Sequence, residues 1–160
     1  MATKRGLSGG RLIVSLILPF IAGAIGSIFT FSEITSWYAN LVKPAWNPPN
    51  WLFGPVWTIL YLMIGISIYL FWQAAEKRNA KAGLEIAGLQ LVLNALWSLV
   101  FFGLHQPVAA LLVIGLLWLS IVSNIEIFRR TSVTAAWWLA PYLVWVSFAG
   151  VLNYAVMSLN

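Results

Sequence analysis

Long runs of apolar residues dominate the chain, and short polar segments separate them. A helix needs about 20 apolar residues to cross the hydrocarbon core of a bilayer, and each run has about that length. The runs lack the alternation of apolar and polar positions that a membrane barrel strand shows. The pattern therefore predicts an all-α integral membrane protein, a bundle of five transmembrane helices at about 12–32, 52–72, 84–104, 107–128 and 134–158.

Composition supports this prediction, because 61% of the residues are hydrophobic and only 8% are charged. Soluble domains are roughly half apolar and a quarter charged. We expect one membrane domain over residues 1–160, with the Trp/Pro-rich segment 33–51 forming an extramembrane lid loop between the first two helices.

The basic residues indicate how the bundle lies in the membrane. Lys43 is the only basic residue on one side, and the positive-inside rule places the other side in the cytoplasm. The N-terminus is then inside and the C-terminus outside, and topology explains the net charge of +5 better than a nucleic-acid partner does. The basic residues on the predicted cytoplasmic side are Lys4, Arg5, Arg11, Lys77, Arg78, Lys81, Arg129 and Arg130.

Several kinds of chemistry lack the residues that they require. The chain has no cysteine and one histidine, so disulfides, thiolate catalysis and multi-ligand metal sites are not expected. His105 could be an axial haem ligand, but a solvated polar role in its turn is favoured. The four glutamates lie at or near span ends, which favours structural roles and weakens the case for an ion-coupled transporter.

Three predicted helices each carry a stripe of aromatic and amide side chains at helical spacing. The stripes reach similar depths and are Phe53, Trp57, Tyr61 and Gly65; Gln90, Asn94, Trp97 and Phe101; and Tyr142, Trp145, Ala149 and Asn153. Aromatic rings and amides also pack helices together in membranes, whereas a mainly aromatic cavity with few polar groups suits a flat apolar ligand. Spacing alone leaves both interpretations open.

Other tryptophans and small residues have simpler interpretations. Tryptophans near span ends are typical of the interfacial aromatic belt. Small residues around Gly23 and Gly26, and at Gly83 and Ala87, offer surfaces for close helix contact and suggest a homodimer. The belt tryptophans are Trp37, Trp51, Trp72, Trp137 and Trp138.

Three segments resemble the TspO/MBR family, which includes the mitochondrial translocator protein or peripheral-type benzodiazepine receptor. They are KPAWNPPNWLFGPVWTILY at 43–61, QLVLNALWSLVFFG at 90–103 and APYLVWVSFAGVLNYAVMSLN at 140–160. The resemblance covers essentially the whole chain, and its motif W-x-P-P followed by F-x-x-x-W is specific.

The resemblance implies a five-helix bundle, often dimeric, whose intrabundle pocket binds tetrapyrroles such as protoporphyrin IX or haem, with no obligatory cofactor. Some members also bind sterols or benzodiazepine-type ligands. The first loop closes the pocket in that family, and Trp46, Pro48 and Pro49 match its loop motif. The implied pocket residues are Trp57, Asn94, Trp97, Trp145 and Ala149, and the stripes add Phe53, Tyr61, Gln90 and Tyr142.

Three functions follow as alternatives. The favoured one is a receptor or sensor for tetrapyrroles, with residues 33–51 as the lid. The second is light-dependent porphyrin degradation, for which the resemblance implies Trp57 and Trp145 as catalytic residues. The third is transport of tetrapyrroles or sterols.

The sequence departs from the mitochondrial proteins near its C-terminal end. Val151 and Tyr154 fit the proposed cholesterol pattern, but no basic residue follows them. This puts cholesterol binding in doubt and indicates a prokaryotic member. A bacterial cytoplasmic membrane is favoured, and an outer membrane stays open because family members occur there.

Overall fold

A computed structural model describes residues 8–160, apart from the side chains of residues 77–79. The described residues form helices α1 (Gly9–Thr35), α2 (Trp37–Asn40), α3 (Asn50–Ala74), α4 (Lys77–Ser98), α5 (Pro107–Arg129), α6 (Val133–Trp138) and α7 (Ala140–Leu159). A π-helical turn, Leu99–Gly103, extends α4. Five stretches are long and apolar enough to cross a membrane, which confirms the predicted helix bundle.

Local chemistry explains where several helices begin. The Ser8 hydroxyl accepts a hydrogen bond from the Arg11 backbone N–H at the start of α1, and the Ser132 hydroxyl does the same for Ala135 in α6. Both are side-chain caps of otherwise unpaired N–H groups. Pro107 opens α5 at a position where a missing backbone N–H costs nothing.

The fifth predicted span is interrupted, which the hydrophobic pattern did not predict. Helix α6 ends at Trp138 and α7 begins at Ala140. Pro141 follows the break, and a proline cannot donate a hydrogen bond to the carbonyl four residues earlier. At the break, the Leu139 N–H bonds instead to the Ala136 carbonyl, at 3.0 Å.

Helices also occupy more of the chain than the apolar runs indicated. α1 continues to Thr35 and α2 follows it, so only Ser36 and residues 41–49 of the predicted loop 33–51 are non-helical. At the other end of the bundle α4 begins at Lys77, seven residues before the predicted start.

Helix α1 packs on α3 and α4, helix α5 packs on α4 and α7, and helix α6 packs on α3 and α5. The helices therefore form a ring in the order α1, α3, α6 with α7, α5 and α4.

We call the end with residues 41–49 the loop end. Lys43 lies there, whereas Arg11, Lys81, Arg129 and Arg130 lie at the opposite end, as the charge pattern predicted for the described residues. Lys4 and Arg5, and the side chains of Lys77 and Arg78, lie outside the description.

The core at the end opposite the loop is close-packed. The rings of Phe71 and Phe128 stack with centroids 4.0 Å apart, and Gly83 lies so close that an added Cβ would collide with the Phe71 ring. Ala87 is buried too. These small residues pack inside the bundle, so they no longer argue for a homodimer, which stays a prediction on the family resemblance alone.

Candidate functional site

A cavity of about 590 Å³ lies in the loop half of the bundle, between α1, α3, the end of α4 and α7. Aromatic rings from α3, α4 and α7 make one side of its wall, and α1 makes the other with mainly small residues and two rings, Phe20 and Phe31. The lining residues include Phe20, Gly23, Ala24, Ser27, Thr30, Phe31, Tyr38, Trp51, Phe53, Gly54, Trp57, Thr58, Tyr61, Trp97, Phe101, Trp145, Ala149 and Asn153.

The aromatic wall is built from rings that contact one another. Trp57 stacks with Tyr61 one turn below it, with centroids 5.4 Å apart, and Trp97 stacks with Phe101 at 5.2 Å. Such pairs add about 0.5–1.5 kcal/mol beyond the area that they bury. The wall is therefore a preformed set of flat apolar surfaces.

A hydrogen-bonded amide supports this wall. The Tyr61 hydroxyl donates to Oδ1 of Asn94 at 3.0 Å, and Nδ2 of Asn94 donates to the Tyr142 hydroxyl at 3.1 Å. Asn94 is 4% exposed and Tyr142 is fully buried. Asn94 thus ties α3, α4 and α7 together behind the wall and orients the Tyr61 ring.

The two indoles on α4 and α7 differ in how they are held. Nε1 of Trp97 donates to Oδ1 of Asn153 at 3.0 Å, and Nδ2 of Asn153 donates to the Pro107 carbonyl. Nε1 of Trp145 is buried without a hydrogen-bond partner, although its ring meets Phe53 edge-on. Gln90, one turn below Asn94, is fully buried, and neither amide atom has a partner.

The structure sorts the sequence-predicted site residues into three groups. Six line the cavity: Phe53, Trp57, Tyr61, Trp97, Trp145 and Ala149. Gln90, Asn94 and Tyr142 are buried and are not among the lining residues. Trp46, Pro48 and Pro49 lie in the loop outside the lining, where Trp46 packs edge-on against Phe148. A ligand-binding role for each stays a prediction.

The wall contributed by α1 was not predicted. Apart from Phe20, Phe31 and Ile34, its residues are small or hydroxylated, and the spacing of the glycines was interpreted as a helix-contact motif. Gly23 and Gly26 do make such contacts, against the Tyr61 ring and the Ser98 side chain. The same face continues into the cavity through Ser27 and Thr30.

Residues 41–49 and α2 lie at the loop end of the bundle, and we call them the roof. Tyr38 of α2 lines the cavity, whereas no residue of 41–49 does. The Tyr38 hydroxyl donates to Oδ1 of Asn47 at 2.8 Å. Burial raises the pKa of Tyr38 above its usual value and the bond to Asn47 opposes this, so the phenol stays a neutral donor. Nζ of Lys43 donates to the carbonyls of Tyr38, Ala39 and Leu41, where a cation complements the end of α2.

His105 lies at the loop end of the bundle, where it contacts α1 and α2, and not in the cavity. Its Nε2 atom lies 3.0 Å from Oε2 of Glu33, and its ring stacks on Trp37 with centroids 4.4 Å apart. Its backbone has a φ of 54°, a left-handed conformation that ends the π-helical turn. His105 is not among the cavity-lining residues, and no group of three metal-binding side chains occurs within residues 8–160 as described.

Comparison with known proteins gives consistent matches. The model of the TspO/MBR family matches residues 15–159. The chain is 43% identical over 150 residues to "Tryptophan-rich protein TspO" of Chlorobaculum tepidum, covering 93% of this chain and 95% of the relative. It is 38% identical over 148 residues to "Translocator protein" of Homo sapiens, covering 90% and 86%. It is 34% identical over 148 residues to "Tryptophan-rich sensory protein" of Cereibacter sphaeroides, covering 91% and 92%.

Proposed function

Because the chain belongs to the TspO/MBR family and is an integral multi-pass membrane protein, we propose that it is a membrane receptor or sensor for tetrapyrroles such as protoporphyrin IX. The name of the Cereibacter sphaeroides relative supports a sensory role. The tetrapyrrole would bind in the cavity of the loop half. Sterols and benzodiazepine-type compounds, which the family resemblance implies for some members, are further candidate ligands of the same apolar character.

The observation that carries this proposal is the shape and lining of the cavity. Its volume of about 590 Å³ falls within the range of about 300–1,000 Å³ that is typical of small-molecule sites. Flat rings line one side, and mainly small residues of α1, with Phe20 and Phe31 at the opening, line the other. A planar macrocycle would place its faces between these walls and bury most of its apolar surface.

The polar groups have supporting roles in this proposal. Asn94 holds Tyr61 in position from behind, and Asn153 holds the Trp97 ring. Affinity would come from stacking and apolar burial, because a charged group buried without a partner is strongly unfavourable. The propionates of a porphyrin would therefore remain at the loop end of the cavity, toward the membrane surface.

The proposal is tested by titrating protoporphyrin IX into the purified protein and following tryptophan fluorescence. We expect saturable quenching with a dissociation constant of about micromolar order. The double variant Trp57→Phe/Trp145→Phe should weaken binding, because both rings line the cavity. Affinity must be read from a competition assay as well, since removing two indoles also removes fluorescence signal.

A matched control is available on the lipid-facing surface. Trp118 and Trp137 are exposed and do not line the cavity, so Trp118→Phe/Trp137→Phe removes the same number of indoles elsewhere. This control should bind as the unmodified protein does. Equal binding by the cavity variant and the control would contradict the proposed site.

Light-dependent porphyrin degradation is a second candidate, favoured by one observation. Trp57 and Trp145 both line the same cavity, so two oxidisable indoles would flank one bound macrocycle. The porphyrin would act as the photosensitiser and dioxygen as the oxidant. Illumination under air should then bleach the Soret band faster than it bleaches free porphyrin and give a discrete product, whereas bleaching at the free rate would leave binding alone.

A further inference from the structure

The cavity is not closed on its α1–α3 side. Phe31 on α1 is 77% exposed and Trp51 on α3 is 72% exposed, yet both line the cavity. Phe20, also a lining residue, is 40% exposed three turns below Phe31. At a rise of 1.5 Å per residue, the opening runs about 16 Å along α1, from the loop end toward the middle of the bundle.

The two helices are in close contact at the deep end of this opening and diverge toward the loop end. An added Cβ at Gly65 would lie 2.9 Å from the Ser15 carbonyl oxygen, and one at Gly23 would collide with the Tyr61 ring. At Gly54, in contrast, an added Cβ would meet nothing within 4 Å. Ala24 and Thr58 line the cavity there and are exposed too, so small side chains leave the gap open.

The roof, in contrast, is fastened on several sides. The Asn160 side chain accepts a hydrogen bond from the Val42 N–H and donates to the Val42 carbonyl, both at 3.0 Å. Trp46 packs edge-on against Phe148 of α7, with ring centroids 5.8 Å apart. Each such hydrogen bond contributes about 0.5–1.5 kcal/mol. Lifting the roof would break these contacts to α7 together.

We infer that the opening between α1 and α3 is a lateral portal, through which apolar or amphiphilic ligands dissolved in the bilayer reach the cavity while the roof stays in place. The portal is framed by Phe20, Ala24, Phe31, Trp51, Gly54 and Thr58. A helix side at this depth faces lipid, and a ligand that is poorly soluble in water is concentrated there. This inference rests on the proposed function, and it replaces a moving lid by a fixed roof.

The test measures association and dissociation rates of protoporphyrin IX on protein in lipid vesicles. Gly54→Phe places a ring in the gap, so both rates should fall by about tenfold, with a smaller change in affinity than in rate. Ala24→Phe narrows the gap from the other helix and should act in the same direction. Gly88→Phe is the matched control, because Gly88 is exposed and an added Cβ there also meets nothing within 4 Å.

A second experiment fixes the roof in place with a cross-link. The chain has no cysteine, so Val42→Cys/Asn160→Cys can be cross-linked with a short bis-maleimide and compared with the same protein before cross-linking. We expect unchanged association. Slower association after cross-linking, or an unchanged association rate in Gly54→Phe, overturns the portal while equilibrium binding still supports the proposed function. Absence of saturable binding in the unmodified protein overturns both.

Discussion

Single residues in the cavity wall differ in what their polar atoms contact. Trp97 and Trp145 are both half-buried rings on the aromatic wall, but only Trp97 has a partner for its N–H. Leaving a buried acceptor unpaired costs about 1–3 kcal/mol. Replacing an indole whose N–H is already unpaired loses no hydrogen bond.

We therefore expect Trp97→Phe to lower the thermal unfolding midpoint in detergent more than Trp145→Phe does. The difference arises because Trp97→Phe strands Oδ1 of Asn153, whose other amide atom stays bonded to Pro107. Both variants remove the same number of ring atoms, so each is the control for the other. An equal or larger decrease in Trp145→Phe would show that its indole N–H has a partner in the membrane.

The residue scale also shows what spacing could predict. The periodicity correctly placed the side of α4 that carries Gln90, Asn94 and Trp97 toward the interior, because positions three and four apart share a helix face. It could not show that Asn94 is bonded and Gln90 is not. That difference depends on Tyr61 and Tyr142, which come from two other helices.

At the scale of the helices, two glycines on α4 have opposite surroundings. Gly83 on α4 lies against the stacked rings of Phe71 and Phe128, whereas Gly88, little more than one turn later, has open space around its Cα. Alanine stabilises a helix interior by up to about 1 kcal/mol relative to glycine. Packing reverses this gain wherever the added methyl group has no room.

Gly83→Ala should accordingly lower the thermal unfolding midpoint, and Gly88→Ala should leave it unchanged or raise it. The two substitutions add the same methyl group to the same helix, so a difference between them reports packing alone. The prediction fails if Gly83→Ala is as stable as Gly88→Ala, which would mean that the Phe71 ring moves aside without cost.

The helix ends and interruptions show where sequence patterns lose information. Apolar runs predicted five spans because length and composition alone decide whether a segment can cross a bilayer. They did not predict the break at Leu139 or the π-helical turn Leu99–Gly103. Pro141 signals the first when it is considered as a helix breaker. At the second, Phe101 and Phe102 pack beside Tyr38, and a contact between distant segments leaves no mark in the local pattern.

For the whole molecule, the order of helices around the ring decides where the cavity lies. In membranes the lipid-facing and interior surfaces are both apolar, so hydrophobicity does not show which helices are neighbours. The aromatic stripes identified three walls because rings and amides stand out from aliphatic residues. The fourth wall on α1 has mainly small residues, with Phe20 and Phe31 at its opening, and Trp51, interpreted as a belt anchor, also lines the cavity.

The orientation of the whole bundle remains a prediction from charge, and the cysteine-free sequence makes it directly testable. Single cysteines at Ala45, in the roof, and at Thr131, between α5 and α6, lie at opposite ends of the bundle. Because Lys and Arg favour the cytoplasmic side, a membrane-impermeant maleimide applied to intact cells, spheroplasted if they have an outer membrane, should label Ala45→Cys and leave Thr131→Cys unlabelled. Permeabilised cells provide the control, since both variants should then react. Labelling of Thr131→Cys in intact cells would show the opposite orientation, with the roof and the loop end of the cavity on the cytoplasmic side.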